Sequence, residues 1–107
     1  MRLNYCFEPE EGVVVEAPTE NIVLDCFARL SVDDFLILET ETGDYVQTRR
    51  EGEDAYLLEY QADCVHFNSR PDAVSRGDAE KALLDFLHFG PASPEFLEGR
   101  EWVLSSY

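Results

Sequence analysis

Cys64 and His66 are the residues whose types and spacing come nearest to a reactive site, a thiol and an imidazole within the short run Cys64-Val65-His66-Phe67. They could ligate a zinc ion or serve as a nucleophile and its base. A zinc site needs a second ligand pair at similar spacing, and Cys6, Cys26 and His88 fall in other segments. On one strand face the two side chains would stand about 7 Å apart, too far for a nucleophile and its base. No metal ligand and no catalytic residue is assigned, and the run reads as an edge strand. Gly12, Gly43, Gly52, Gly77, Gly90 and Gly99 are each isolated, so no phosphate-cradling loop exists and no nucleotide or other cofactor is expected. Carboxylates are abundant, but Asp33-Asp34, Glu39-Thr40-Glu41 and Glu51-Gly52-Glu53-Asp54 fall in turns or at strand ends, where solvation keeps a carboxyl ordinary. Glu59, between Leu58 and Tyr60, is the one carboxylate placed on a strand face among apolar neighbours, and an outward-facing position accounts for it.

Charge is more informative than any motif. Twenty-three Asp and Glu stand against eight Lys and Arg, for a formal net charge of −15. Such a surface repels nucleic acid and anionic membranes and steers basic partners toward itself. The imbalance is concentrated: Asp33 to Asp63 holds ten acids against Arg49 and Arg50, with Tyr45, Tyr56 and Tyr60 interleaved. A sheet rim of this make-up suits a basic protein site, since aromatics act as desolvated anchors and carboxylates steer and pair. Glu39, Glu41, Asp44, Tyr45, Glu51, Glu53, Asp54 and Glu59 are the residues nominated for partner contact.

The elements that must position these groups follow from periodicity. Leu3, Tyr5 and Phe7 alternate as a half-buried strand, and after the loop Glu8 to Gly12 the β-branched run Val13-Val14-Val15 is expected to pair back as a hairpin. Thr19 is placed to cap a helix with Ile22, Val23, Cys26, Phe27 and Leu30 on one stripe. Phe35 to Leu38, Tyr45 to Thr48, Ala55 to Gln61 and Cys64 to Phe67 read as a four-strand meander, with Tyr56, Leu58 and Tyr60 on one face and Leu57, Glu59 and Gln61 on the other. A second helix starts at the capping pair Ser75 and Asp78, buries Ala79, Ala82, Leu83, Phe86 and Leu87, and stops at Gly90-Pro91. The tail, with Phe96, Leu97, Trp102, Val103 and Leu104, should pack back on the core. The expected fold is therefore α+β, one domain over residues 1–107, with an antiparallel sheet (N-terminal hairpin plus four-strand meander) packed with two helices. At 107 residues a second core is not expected. The longest purely apolar stretch, Phe35 to Leu38, is far too short to cross a bilayer. Met1-Arg2-Leu3-Asn4 opens no apolar leader, so a cytoplasmic protein is expected, its three cysteines as buried free thiols.

The order Phe35-Leu36-Ile37-Leu38, Asp44-Tyr45-Val46-Gln47, Ala55-Tyr56-Leu57-Leu58-Glu59-Tyr60-Gln61, His66-Phe67, Phe86-Leu87-His88-Phe89-Gly90 and Trp102 resembles the first family of bacterial polymorphic-toxin immunity proteins. That family carries in this order a YIQ segment, a GYxLEY strand, an HY or HF pair, a helix ending F-x-x-Y/F-x-x-G, and C-terminal tryptophans. The likeness spans Phe35 to Trp102, with Ala55 standing where the family has Gly and Phe96 where its first Trp is expected. It implies an antidote that binds a cognate secreted toxin, without catalytic residues of its own. A nuclease toxin, with its basic groove, would complement the acidic surface. Two other functions compete: a small ligand-binding module or enzyme using a cleft between sheet and helices, with Glu59 or His66 as its polar group, and a dimerisation or interaction domain using the edge Cys64 to Phe67.

Overall fold

The computed structural model of the chain describes residues 1–6, 12–91, 93–98 and 100–104. Phe7 and most of the expected loop, Glu8 to Glu11, lie outside these residues, as do the side chains of Tyr5 and Cys6. Ten elements follow in chain order: β1 (Arg2–Cys6), β2 (Val13–Glu16), α1 (Glu20–Ala28), β3 (Phe35–Glu39), β4 (Tyr45–Arg50), β5 (Tyr56–Ala62), β6 (Val65–Val74), α2 (Arg76–Phe89), α3 (Pro94–Leu97) and β7 (Glu101–Leu104). The strands form one antiparallel sheet in the order β2-β1-β3-β4-β5-β6-β7, and the class is α+β, as the periodicity predicts. The N-terminal hairpin and the meander are thus halves of a single sheet, joined where β1 pairs with β3.

Among the described residues, helices cover one face only. Leu3, Leu36, Leu38, Val46, Tyr56, Leu58 and Tyr60 share a core cluster with Val23, Cys26, Phe27 and Leu30 on the α1 side and Ala79, Ala82, Leu83 and Phe86 of α2. Each fully buried Leu or Phe contributes about 1.5–3 kcal/mol relative to exposure. Strand residues alternate between buried and half-buried along β3 and β5, the signature of a sheet packed on one side. Both helix starts are capped as expected: Thr19 Oγ1 accepts from the Ile22 amide at 3.3 Å, and Ser75 Oγ from that of Asp78 at 3.1 Å. Gly90, at φ +86°, ends α2.

Two expectations are corrected, and a third is borne out in a form the sequence did not specify. β6 is longer than expected and is not the last strand: it extends to Val74 and lies between β5 and β7, and of the run Cys64 to Phe67 proposed as a dimerisation edge, Phe67 is paired with β7. Pro71 disguised the strand, because proline removes a ladder donor and reads as a breaker. It sits where the register slips, Glu59 facing Asn68 while Leu57 faces Ala73. The tail does pack back, but as a third helix and the strand β7, with Phe96 fully buried. Finally, Cys64 is not a buried strand thiol. Asp63 and Cys64, at φ +51° and +66°, form a two-residue connection with both φ positive, and the thiol is exposed.

Asn-Gly or Asp-Gly is the favoured pair in such a turn, and a Cβ in the left-handed region costs about 1–2 kcal/mol. Part of that gain is offset by glycine's greater freedom in the unfolded chain. Cys64→Gly is therefore expected to raise stability by about 0.5–1 kcal/mol. Denaturant midpoints would check this, and a lowered midpoint would mean that the thiol itself supports the turn.

Candidate functional site

Every second strand residue faces away from the helices, and the pairing register lines these residues up in rows across the sheet. One row runs Glu16, Arg2, Glu39, Tyr45, Gln61, His66. It is closed on itself by hydrogen bonds. Arg2 Nε reaches Glu16 at 3.0 Å and its guanidinium reaches Glu39 at 3.5 Å. Gln61 donates to the Gly43 carbonyl (3.3 Å), which leaves its Oε1 to accept from His66 Nε2 (2.6 Å). The Tyr45 hydroxyl sits against the same imidazole, 2.9 Å from Nε2 and 3.3 Å from Nδ1. His66 is therefore held by a tyrosine and a glutamine, while Cys64 stands in the turn, and the two do not form a reactive pair.

The next row runs Val14, Asn4, Ile37, Gln47, Glu59, Asn68, Val103. Glu59 is its one charge. The register slip beside it gives β6 four residues (69–72) where β5 has one (58), and this opens a depression of about 360 Å³ lined by Gln47, Arg49, Leu57, Leu58, Glu59, Asn68 and Ser69. Glu59 is half-buried there and makes no ion pair or hydrogen bond among the described residues. Among the described residues the one cation on its rim is drawn aside, since Arg49 reaches Asp33 at 3.1 Å and Glu51 at 3.4 Å. Glu59 and His66 both face away from the helices. A sheet-helix cleft built on either of them is therefore overturned.

The nominated acids are not one patch. Glu39, Tyr45 and Glu59 lie on the open face, Glu41 and Asp44 in the β3–β4 turn, and Glu51, Glu53 and Asp54 in the β4–β5 turn. Consecutive hairpin turns of a meander alternate between its two ends, so the last two groups are separated by the length of β4, about 20 Å for six residues. Some of these acids hold the fold together. Asp54 accepts from the Arg76 amide at the start of α2 (2.8 Å), and Asp44 accepts from the Asp63 amide (3.1 Å), tying two turns together. Glu41 and Glu53 are exposed, with no such bond among the described residues.

Cations are mostly committed inside the chain. Arg2, Arg49, Lys81 and Arg100 are ion-paired, Arg50 donates to the Leu30 (2.6 Å) and Gly52 (2.9 Å) carbonyls, and Arg76 lies over the Phe27 ring at 5.9 Å. What faces outward is largely carboxylate. Burial pushes the Cys26 thiol up, an effect Arg29 opposes and Asp25 reinforces, so this thiol is inert as a nucleophile at neutral pH. Among the described residues, no group of three or more His, Cys, Asp or Glu could hold a metal ion, and no helix is long and apolar enough to cross a membrane.

Sequence reasoning missed Gln47, Asn68 and Arg49. Alternation from Tyr45 places Gln47 and Arg49 on the open face, so that signal was present. Asn68 lay beyond the last expected strand. No protein-family model matches this chain, and neither a curated protein nor a solved structure shows significant similarity to it.

Proposed function

We propose that the protein is an immunity protein that binds and neutralises a secreted bacterial toxin through its acidic surface. One observation carries this reading: a sheet face that no helix covers among the described residues lies between two acidic sets of turns, and the chain's cations are largely engaged internally. Such a surface has a field to steer a basic protein and a broad half-buried floor on which to seat it. The order of short motifs from Phe35 to Trp102, shared with the immunity family, supports the same reading. A nuclease domain is the class of toxin whose basic groove best complements this charge.

Co-expression with the toxin encoded immediately upstream of its gene is expected to restore growth, and the purified proteins should form a stable complex. Failure to bind or neutralise that toxin would sink the reading. Glu41→Lys with Glu53→Lys reverses one free charge at each end of the sheet without touching a fold contact. The pair should slow association by about tenfold at low salt and flatten its salt dependence, leaving dissociation nearly unchanged. Unchanged association rates would clear both turns of a steering role.

A further inference from the structure

The two polar rows of the open face differ in kind. In the row through Tyr45, Gln61 and His66 the side chains are bonded to one another; in the row through Gln47, Glu59 and Asn68 the three make no side-chain hydrogen bond or ion pair among the described residues. Those three are direct cross-strand neighbours on β4, β5 and β6, about 4.8 Å apart from strand to strand. They border the depression opened by the register slip, with Leu57 as its apolar wall. A carboxylate between two amide oxygens presents acceptors in a line. It also holds a negative charge that Arg49, engaged by Asp33 and Glu51, does not cancel.

We propose that this depression is a socket for the guanidinium of one arginine on the protein partner. The assignment rests on the reading of the chain as an immunity protein and adds to it the residue of the partner that is bound. A guanidinium carries five donors in a planar fork. It can pair with both Glu59 oxygens and still reach the Gln47 and Asn68 carbonyls, while its weakly hydrated plane and alkyl stem lie against Leu57. A lysine ammonium is a compact, strongly hydrated point charge and would satisfy fewer of these acceptors. The Asp33-Arg49-Glu51 cluster carries a net negative charge, so Arg49 does not repel the incoming cation.

The test uses the intact protein and N-acetyl-arginine amide as the probe, followed by amide-proton NMR. Saturable shifts are expected at the backbone of Gln47, Glu59 and Asn68 and at the side-chain amides of Gln47 and Asn68. N-acetyl-lysine amide should bind several-fold more weakly, and N-acetyl-citrulline amide, which has the shape without the charge, should leave these signals in place. Glu59→Gln should weaken the arginine response about tenfold or more, whereas Glu41→Gln, which removes the same charge from a turn, should not. Shifts that do not saturate, that citrulline reproduces, or that survive Glu59→Gln would overturn the socket. If Glu59→Gln failed to fold, the comparison of arginine with citrulline on the unaltered protein would still decide. The two readings fail separately. Arginine-specific binding without toxin neutralisation refutes only the immunity role. A toxin complex whose dissociation rate is unchanged by Glu59→Gln refutes only the socket.

Discussion

Phe96→Ala is expected to remove about 3–5 kcal/mol of stability, a large share of the roughly 5–15 kcal/mol that holds a domain folded. Phe96 is fully buried, and its ring meets those of Tyr60 (5.2 Å), Phe86 (5.4 Å) and Trp102 (5.4 Å). It is also what anchors α3, a helix of four residues that is far too short to stand alone. Deleting the ring leaves a cavity among aromatics and loosens the segment that brings β7 against β6. Denaturant unfolding would measure the loss, and hydrogen exchange would show β7 amides opening ahead of those in β3 and β4. A loss under about 1 kcal/mol would mean that the tail is not part of the core.

The second large effect belongs to Asp85. Its side chain, on α2, is 12% exposed and accepts from Lys81 Nζ at 2.8 Å and from the Arg100 guanidinium at 3.0 Å, and Arg100 is itself 13% exposed. Arg100 also donates to the Phe96 carbonyl, so one carboxylate on α2 orients the cation that closes α3. Asp85→Ala would leave that cation buried and uncompensated, at a cost of about 3 kcal/mol or more. Replacing the pair together, Asp85→Leu with Arg100→Met, should cost much less, because neither charge is then stranded. Equal losses in the single and double variants would show that the ion pair is not the source of the effect.

A pH signature accompanies this prediction. Burial alone would raise the Asp85 carboxyl, but hydrogen bonds and charge from Lys81 and Arg100 outweigh it and hold the group below its ordinary 3.8. A folded value below the unfolded one stabilises the protein above the unfolded value. That contribution is lost as pH falls through 3.8 toward the folded value. Acid titration of stability should therefore fall less steeply below about pH 4 in Asp85→Ala than in the unaltered chain. A parallel fall in both would assign the acid sensitivity to other carboxylates.

The legible parts of the fold were those governed by near neighbours. Thr19 and Ser75 cap their helices, Gly90 ends α2, and Tyr56, Leu58 and Tyr60 alternate inward, because caps and strand period are properties of a few adjacent residues. Asp85 was invisible in the sequence. It lies on α2 among residues that bury Ala82 and Phe86, and only the return of Arg100 makes its burial tolerable. The extent of β6 was hidden by Pro71, whose lost donor is accommodated by a register slip that depends on β5 and not on Pro71's own neighbours.

The same division applies to the site. Composition alone determined that this is a strongly acidic chain, and periodicity determined that Glu59 faces outward from a sheet with helices on its other side. Tertiary structure decided the rest. The turn acids of the stretch from Asp33 to Asp63 belong to one run in sequence but lie at two separate ends in space, because hairpin turns alternate across a meander. Gln47 and Asn68 come to flank Glu59 through pairing between strands, and Arg49 is turned away from it by Asp33 and Glu51. A chain encodes its charges and periods locally, whereas the neighbours of a charge are set by register, and register is a property of the whole sheet.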